Sequence, residues 1–479
     1  MAKNKVHRPK ARRGRGFPDR SGAELIAERL MLERIGKVYE SYGFAPLATP
    51  AFEYTDALGK FLPDVDRPNS GVFSLQDDDE QWLSLRYDLT APLARYVAEN
   101  MDALPRPFRR YAVGTVWRNE KPGPGRFREF TQIDADTCFA PPPHGDAEII
   151  MMFADALSAA GIEEKDVEIR LSSRKVMTGL LEVIGLPPED QGKSGVVLRA
   201  MDKYDRLGAD GVALLLGQGR KDESGDFTQG ANLEAQQIDA VLKFMDGGDM
   251  SAALAGNKAG EEGTTELKSI VSTLTELGYG ARVKLDPSVI RGLDYYTGPV
   301  FEAALTFDVE NEKGQTVQFG SVGSGGRYDG LIARFKGQEV PSVGCSVGVS
   351  RLLTALKSKA ALPEPMAPVV VLALESDEMP RYHRMAAALR REGLAAEVYL
   401  GGAGMKAQMR YADKRGAPMV VICGEDERAA NAVTIKDLRA GKEASSSIDS
   451  RDQWTEERPG QETVSADALV TTVKDWIAR

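Results

Sequence analysis

The chain has 479 residues, 42% of them hydrophobic and 28% charged, and carries a formal net charge of −10. That composition describes a soluble globular protein of about two to four domains without a global basic field, so any nucleic acid must be met by local patches. No apolar run approaches the roughly 18 residues of a membrane span, and Cys138, Cys345 and Cys423 are too few and too scattered for a disulfide framework, which points to a reducing cytoplasm.

The first twenty residues hold eight Lys or Arg against Asp19 alone and lack the apolar centre of a secretory signal. Residues 1–20 are therefore expected to form a disordered basic arm. From Ser21, "SGAELIAERLMLERIGKVYESYG" predicts a helix. Ser21 and Glu24 have capping-box spacing, Leu25, Leu32, Ile35 and Val38 recur on one face, and Gly43 stops it. "FAPLATPAFEY" is extended, and Pro46 and Pro50 place it on a sheet edge or an interface. In "LRYDLTAPLARYVAEN", Asp88 and Thr90 stand at a helix start. Both are favoured caps there, and both can also accept hydrogen bonds from a ligand ammonium.

From Phe108 the period falls to two. Tyr111, Val113, Thr115 and Trp117 share one face of a strand, and Gly114, Val116 and Arg118 the other. In "FTQIDADT", Gln132, Asp134 and Asp136 alternate with Thr131, Ile133 and Ala135. The two strands make an antiparallel hairpin around a charged loop of about eleven residues, "NEKPGPGRFRE". Alternating polar residues ordinarily mark a water-facing sheet. With Arg118, Lys121, Arg126 and Arg128 nearby, the same pattern also suits a site for phosphates beside a small polar molecule.

Residues 185–280 turn helical, with polar Gly-rich joins, and read as an insertion into a core of residues 21–184 and 281–360. The core resumes at "SVIRGLDYYTGPVFEAALTF", where Arg291 precedes Tyr295 and Tyr296, and continues through "GSVGSGGRYDG" and "GCSVGVSRLL" to Arg351. "GSVGSGGRYDG" fits no dinucleotide fingerprint and "QGKSG" no P-loop, because Pro187 occupies the first glycine position. Three histidines, without Cys-x-x-Cys or His-Glu-x-x-His, argue against a zinc site. After the Pro-rich "KSKAALPEPMAP", residues 367–479 alternate apolar strands with helices, the pattern of a small α/β domain with a mostly parallel sheet.

Together these segments resemble class II aminoacyl-tRNA synthetases, and within them the histidyl-tRNA synthetase family. "FEYTDAL" with Pro50 is similar to the first class II motif, "VWRNEKPGPGRFREFTQIDADT" to the second and "GCSVGVSRL" to the third. "RYDLT" and "RGLDYYTGPVFE" resemble the family's histidine signatures, and the terminal domain, with "YADKRGAPMVVICGEDE" and "VTIKDL", its anticodon-binding domain. The resemblance implies an α+β catalytic core, an antiparallel sheet flanked by helices, with a helical insertion and a C-terminal α/β anticodon-binding domain. It implies a ligase that joins histidine to ATP as histidyl-adenylate and transfers it to tRNA-His, with Mg²⁺ on the leaving pyrophosphate, in a cytoplasmic homodimer.

By the same resemblance, Asp88, Leu89, Thr90 and Gln132 would surround the histidine ammonium, and Asp136, Tyr295 and Tyr296 the imidazole. Arg118 and Arg291 would act on the reacting carboxylate and α-phosphate. Glu120 would approach the adenine edge, Arg126 the γ-phosphate, and Phe130 with Arg351 the adenine faces. Ser350 stands where many relatives carry an acidic residue, so the metal ligands are not assigned. The alternatives are a histidine-sensing regulatory paralogue without aminoacylation and a non-catalytic tRNA-binding scaffold.

Overall fold

The computed structural model describes residues 9–58, 71–123, 125–186, 191–221, 225–290, 295–310, 316–317, 319–357, 367–438 and 460–478. The chain divides into two compact units, Met1–Pro363 and Glu364–Arg479.

An eight-stranded sheet carries the first unit. Its strands are β1 (Ala45–Pro46), β2 (Phe108–Trp117), β3 (Glu129–Cys138), β4 (Val167–Ser173), β5 (Val283–Leu285), β6 (Pro299–Leu305), β7 (Ser321–Arg327) and β8 (Ser342–Gly348). They lie in the order β1-β2-β3-β8-β7-β6-β4-β5, antiparallel except for the two edge pairs. The β2–β3 hairpin keeps register for ten residues, from Phe108 opposite Cys138 to Trp117 opposite Glu129. On the other side of β3 lies β8, with Gly344 opposite Asp136 and Ser346 opposite Asp134.

Successive strand residues point to opposite sides, and the two sides of β3 meet different company. Ile133 and Ala135 join a large apolar core with Met31 and Ile35 of α1 (Ala23–Ser41), Ile149 and Phe153 of α3 (His144–Ala159) and Leu352 of α4 (Val349–Lys357). The opposite side of the sheet is covered by α2 (Thr90–Asn100), whose Leu93 and Val97 pack with Cys138, Tyr295 and Tyr328. Helix α1 begins at Ala23, two residues after Ser21, and Gly22 at φ 53 caps it without a side-chain bond. The expected capping box does not form because that turn leaves the helix before Ser21 is reached.

Between residues 185 and 280 the described chain is helical, with a short Gly219–Lys221/Phe227–Gln229 hairpin beside Tyr204–Leu216. Near the N-terminus, residues 9–20 have no regular structure yet make specific contacts with the β2–β3 loop. A three-stranded sheet of Phe52–Tyr54, Ser74–Gln76 and Trp82–Leu85 stands apart from the main one.

The second unit has its own five-stranded sheet: β9 (Val369–Val371), β10 (Ala396–Val398), β11 (Met419–Ile422), β12 (Ala432–Asp437) and β13 (Gln461–Ser465). The order is β10-β9-β11-β12-β13. Pairs β9–β10 and β9–β11 are parallel, whereas β11–β12 and β12–β13 are antiparallel, so the sheet is mixed. Helices Met379–Arg391, Met405–Lys414 and Leu469–Ala478 supply its flanks. Among the described residues no helix is long and apolar enough to cross a membrane.

Candidate active site

The polar side of β3 faces the interior. Gln132, Asp134 and Asp136 are all buried, at 7%, 1% and 1% exposure, so the alternation does not mark a wet sheet face. Burying three such groups is costly unless each finds partners. Asp136 is held from two directions. Arg110 Nη2 lies 2.8 Å from its Oδ2, and the Tyr328 hydroxyl donates a short hydrogen bond to its Oδ1. The neighbouring strand must leave room for this carboxylate. A Cβ on Gly344 would stand 2.0 Å from Asp136 Oδ1.

Burial raises the Asp136 pKa while the Arg110 charge and the Tyr328 bond pull it back. Asp134 has less relief. Burial, and then the charge of Asp136, push its carboxyl up to about 7, against the pull of Arg110. Gln132 donates from Nε2 to Ser346 Oγ at 2.8 Å, while its Oε1 is buried with no hydrogen-bond partner among the described residues.

The start of α2 adds the next groups. Asp88 Oδ1 accepts the Ala91 N–H at 2.9 Å, as a capping carboxylate does, but Oδ2 is buried without a hydrogen-bond partner among the described residues. Burial raises its pKa, and Arg118 lowers it. Leu89 gives its carbonyl to Arg110 Nη2 at 2.8 Å, and Thr90 opens the helix. The tyrosine pair then closes around these acids. The Tyr295 ring meets Tyr296 edge-on at 5.0 Å and Tyr328 at 5.8 Å. Burial raises the Tyr296 phenol pKa, helped by the charges of Asp136, Asp134 and Asp88 together.

Arg118 leaves the end of β2 toward the same region. Its Nε donates to the Tyr87 carbonyl at 3.2 Å, and its guanidinium lies over Phe130 at 5.2 Å. Arg351 reaches out of α4 over the Phe319 ring at 4.8 Å, donates to the Phe319 carbonyl, and touches the Gly125 carbonyl at 3.5 Å. Glu120 and Arg126 are exposed on the charged loop. The Ser350 hydroxyl accepts the Thr131 N–H at 3.0 Å. Arg291 lies outside the described residues.

Thus Asp88, Leu89, Thr90, Gln132, Asp136, Tyr295 and Tyr296 come together, with Arg118 and Phe130 at one side. Arg110, Tyr328, Ser346 and Phe319 are the members that the sequence reading did not single out, and Asp134 was noted there only in the alternation, without a role of its own. A cation within the alternating "RRYAV" and a tyrosine in the set-aside "GSGGRYDG" were the available signals.

This arrangement, three buried acids and an aromatic wall beside a guanidinium, sits in a chain whose residues 16–352 match the histidyl-tRNA synthetase family model. The chain belongs to the histidyl-tRNA synthetase family. Residues 368–476 match the anticodon binding domain model. A histidine--tRNA ligase of Brucella ovis is 56% identical, covering 98% of this chain and 97% of that protein. One from Bartonella henselae is 53% identical, covering 99% of each. Among solved structures, histidyl-tRNA synthetase from Nostoc sp. PCC 7120 is 28% identical with a TM-score of 0.71, covering 98% of this chain and 100% of that one. An ATP phosphoribosyltransferase regulatory subunit/histidyl-tRNA synthetase from Bacillus halodurans shares the fold at 21% identity and a TM-score of 0.65, covering 85% and 97%.

Proposed function

We propose that this site activates histidine with ATP, forming histidyl-adenylate and diphosphate, and then passes the histidyl group to the 3′ end of tRNA-His. The observation that carries the amino-acid half is the pair of buried acceptors, Asp88 Oδ2 and Gln132 Oε1, which find no hydrogen-bond partner among the described residues and lie beside Asp136 and Tyr296. A ligand bearing an ammonium group and an N–H-bearing ring answers that deficit. An amino acid without the ring donors would leave buried polar groups unpaired, which is the strongest basis for selectivity.

In this reading Asp88, Thr90 and Gln132 receive the α-ammonium, with Leu89 setting their spacing. Asp136, Tyr296 and Tyr295 form the imidazole pocket. A carboxylate attacking a phosphate meets like charge, so rate comes from positioning and from cations at the developing charge. Arg118 and Arg291 are the proposed catalytic pair. Phe130 and Arg351 flank the adenine, Glu120 meets its edge, and Arg126 takes the γ-phosphate. Mg²⁺ would arrive on the triphosphate. The described residues gather no three His, Cys, Asp or Glu side chains as a metal site, and Ser350 is engaged with Thr131, so no step is assigned to a protein-held metal.

The domain reading is a core of residues 21–184 and 281–360, a helical insertion at 185–280, and tRNA anticodon binding by residues 367–479, in the cytoplasm. A homodimer is supported by the separate three-stranded sheet. Phe52, Tyr54 and Leu75 share one exposed face, while Glu53 points inward to Arg95 at 2.9 Å. The regulatory alternative is not favoured: near-full-length relatives carry the ligase name, and the anticodon-binding match is present. Histidine-dependent ATP–diphosphate exchange, run against all twenty amino acids, tests the assignment. Exchange with another amino acid, or none with histidine, would remove it.

A further inference from the structure

The basic arm is part of the catalytic unit's surface. Gly16 accepts the Arg128 N–H at 2.9 Å, joining the arm to the β2–β3 loop. It does so at φ +84, and a Cβ there would press within 2.9 Å of the Arg128 side chain, so only glycine lets the two backbones approach. Phe17 packs on Phe73 with ring centroids 5.8 Å apart. Arg20 completes the attachment through an ion pair with Glu28 in the second turn of α1.

Between arm and loop lies an open cavity of about 490 Å³, walled by Arg13, Arg15, Phe17, Gly123, Arg126 and Phe127. Residues 9–20 and 120–128 contain eight Lys or Arg against only Asp19 and Glu120, in a chain whose net charge is −10. Arg13 has an exposed contact to Asp19 at 3.6 Å, whereas Arg15 and Arg126 have no acidic partner among the described residues. Such concentrated positive charge is costly by self-repulsion unless an anion comes to it.

We propose that arm and loop form one cradle for the single-stranded 3′ end of the tRNA, with Arg13 and Arg15 on backbone phosphates and Phe127 beside a base. The inference rests on the tRNA-charging function proposed above and adds to it a second wall that the enzyme's own N-terminus supplies. Guanidinium groups next to aromatic rings are the usual means of holding a single strand without reading its sequence. The cradle adjoins Arg126, so a strand lying in it is delivered to the side of the loop where ATP would react. A nucleotide triphosphate shares the phosphate chemistry and is the competing occupant.

The test is the full-length chain with Arg13→Ala and Arg15→Ala combined, and a second variant with both changed to Lys. Melting temperature and histidine-dependent exchange, including the KM for ATP, should match the unaltered protein. The kcat/KM for charging tRNA-His should fall about tenfold. Its log–log dependence on salt should become shallower by about 1.4, from roughly 0.7 per phosphate contact on a single strand. The Lys variant should retain most of the charging and most of the slope, since the charges remain.

Unchanged charging, or a charging loss with an unaltered salt slope, overturns the cradle. A raised KM for ATP that accounts for the charging loss assigns the cavity to the triphosphate instead. If the unaltered chain fails to charge tRNA-His at all, the proposed function itself falls and the cradle falls with it.

Discussion

Arg110 and Asp136, 26 positions apart, face each other across the β2–β3 ladder with 2.8 Å between guanidinium and carboxylate and only 1–2% of either side chain exposed. The same guanidinium group also holds the Leu89 carbonyl, so one buried cation ties the floor of the pocket to the first turn of α2.

Removing that cation leaves a buried acid uncompensated. Arg110→Met should cost about 3–5 kcal/mol of unfolding free energy in a denaturant titration, and combining it with Asp136→Asn should recover part of that loss. If the single variant unfolds like the unaltered protein, the pair is not what sustains the buried charge. Asp136→Ala should in addition raise the KM for histidine by about 10–100-fold, the worth of a hydrogen bond to a charged group. A normal histidine KM would move the imidazole contact elsewhere.

Asp134 should make stability depend on pH in a direction opposite to that of an ordinary paired acid. Its folded pKa, about 7, lies above the ordinary aspartate value of 3.8. Across that interval the folded state keeps a proton that the unfolded chain has released, so stability falls as pH rises. Asp134→Asn should therefore melt higher than the unaltered protein at pH 8, with the advantage shrinking toward pH 4. Parallel melting curves at both pH values would show that this carboxyl is not the group strained by ionisation.

Arg291→Ala should lower histidine-dependent exchange by at least about 10²–10³-fold, as loss of a cation at developing phosphate charge does, with an unaltered circular dichroism spectrum and melting temperature. Exchange at the ordinary rate would refute its place in the catalytic pair.

A chain ended before Ala367 should still form histidyl-adenylate, because every pocket residue belongs to the first unit, while tRNA charging falls sharply. Equal losses in both assays would contradict that division.

What the sequence determined by itself was local. The ten-residue hairpin, the helix opening at Thr90, the strand–helix turn leading to Arg351 and the alternation of the terminal domain follow from periodicity and turn residues, which act over a few positions. The family motifs were equally legible, since they are contiguous. Tertiary structure alone decided which side of β3 is dry. Gln132, Asp134 and Asp136 are buried because β8 arrives some two hundred residues later with glycine opposite Asp136, and because α2 and Tyr328 cover that side. It also decided that the basic arm is fastened, through Gly16 and Arg128, more than a hundred positions apart. Alternation says that a strand has two faces, but the free energy of burial depends on what packs against each, and those partners come from distant parts of the chain.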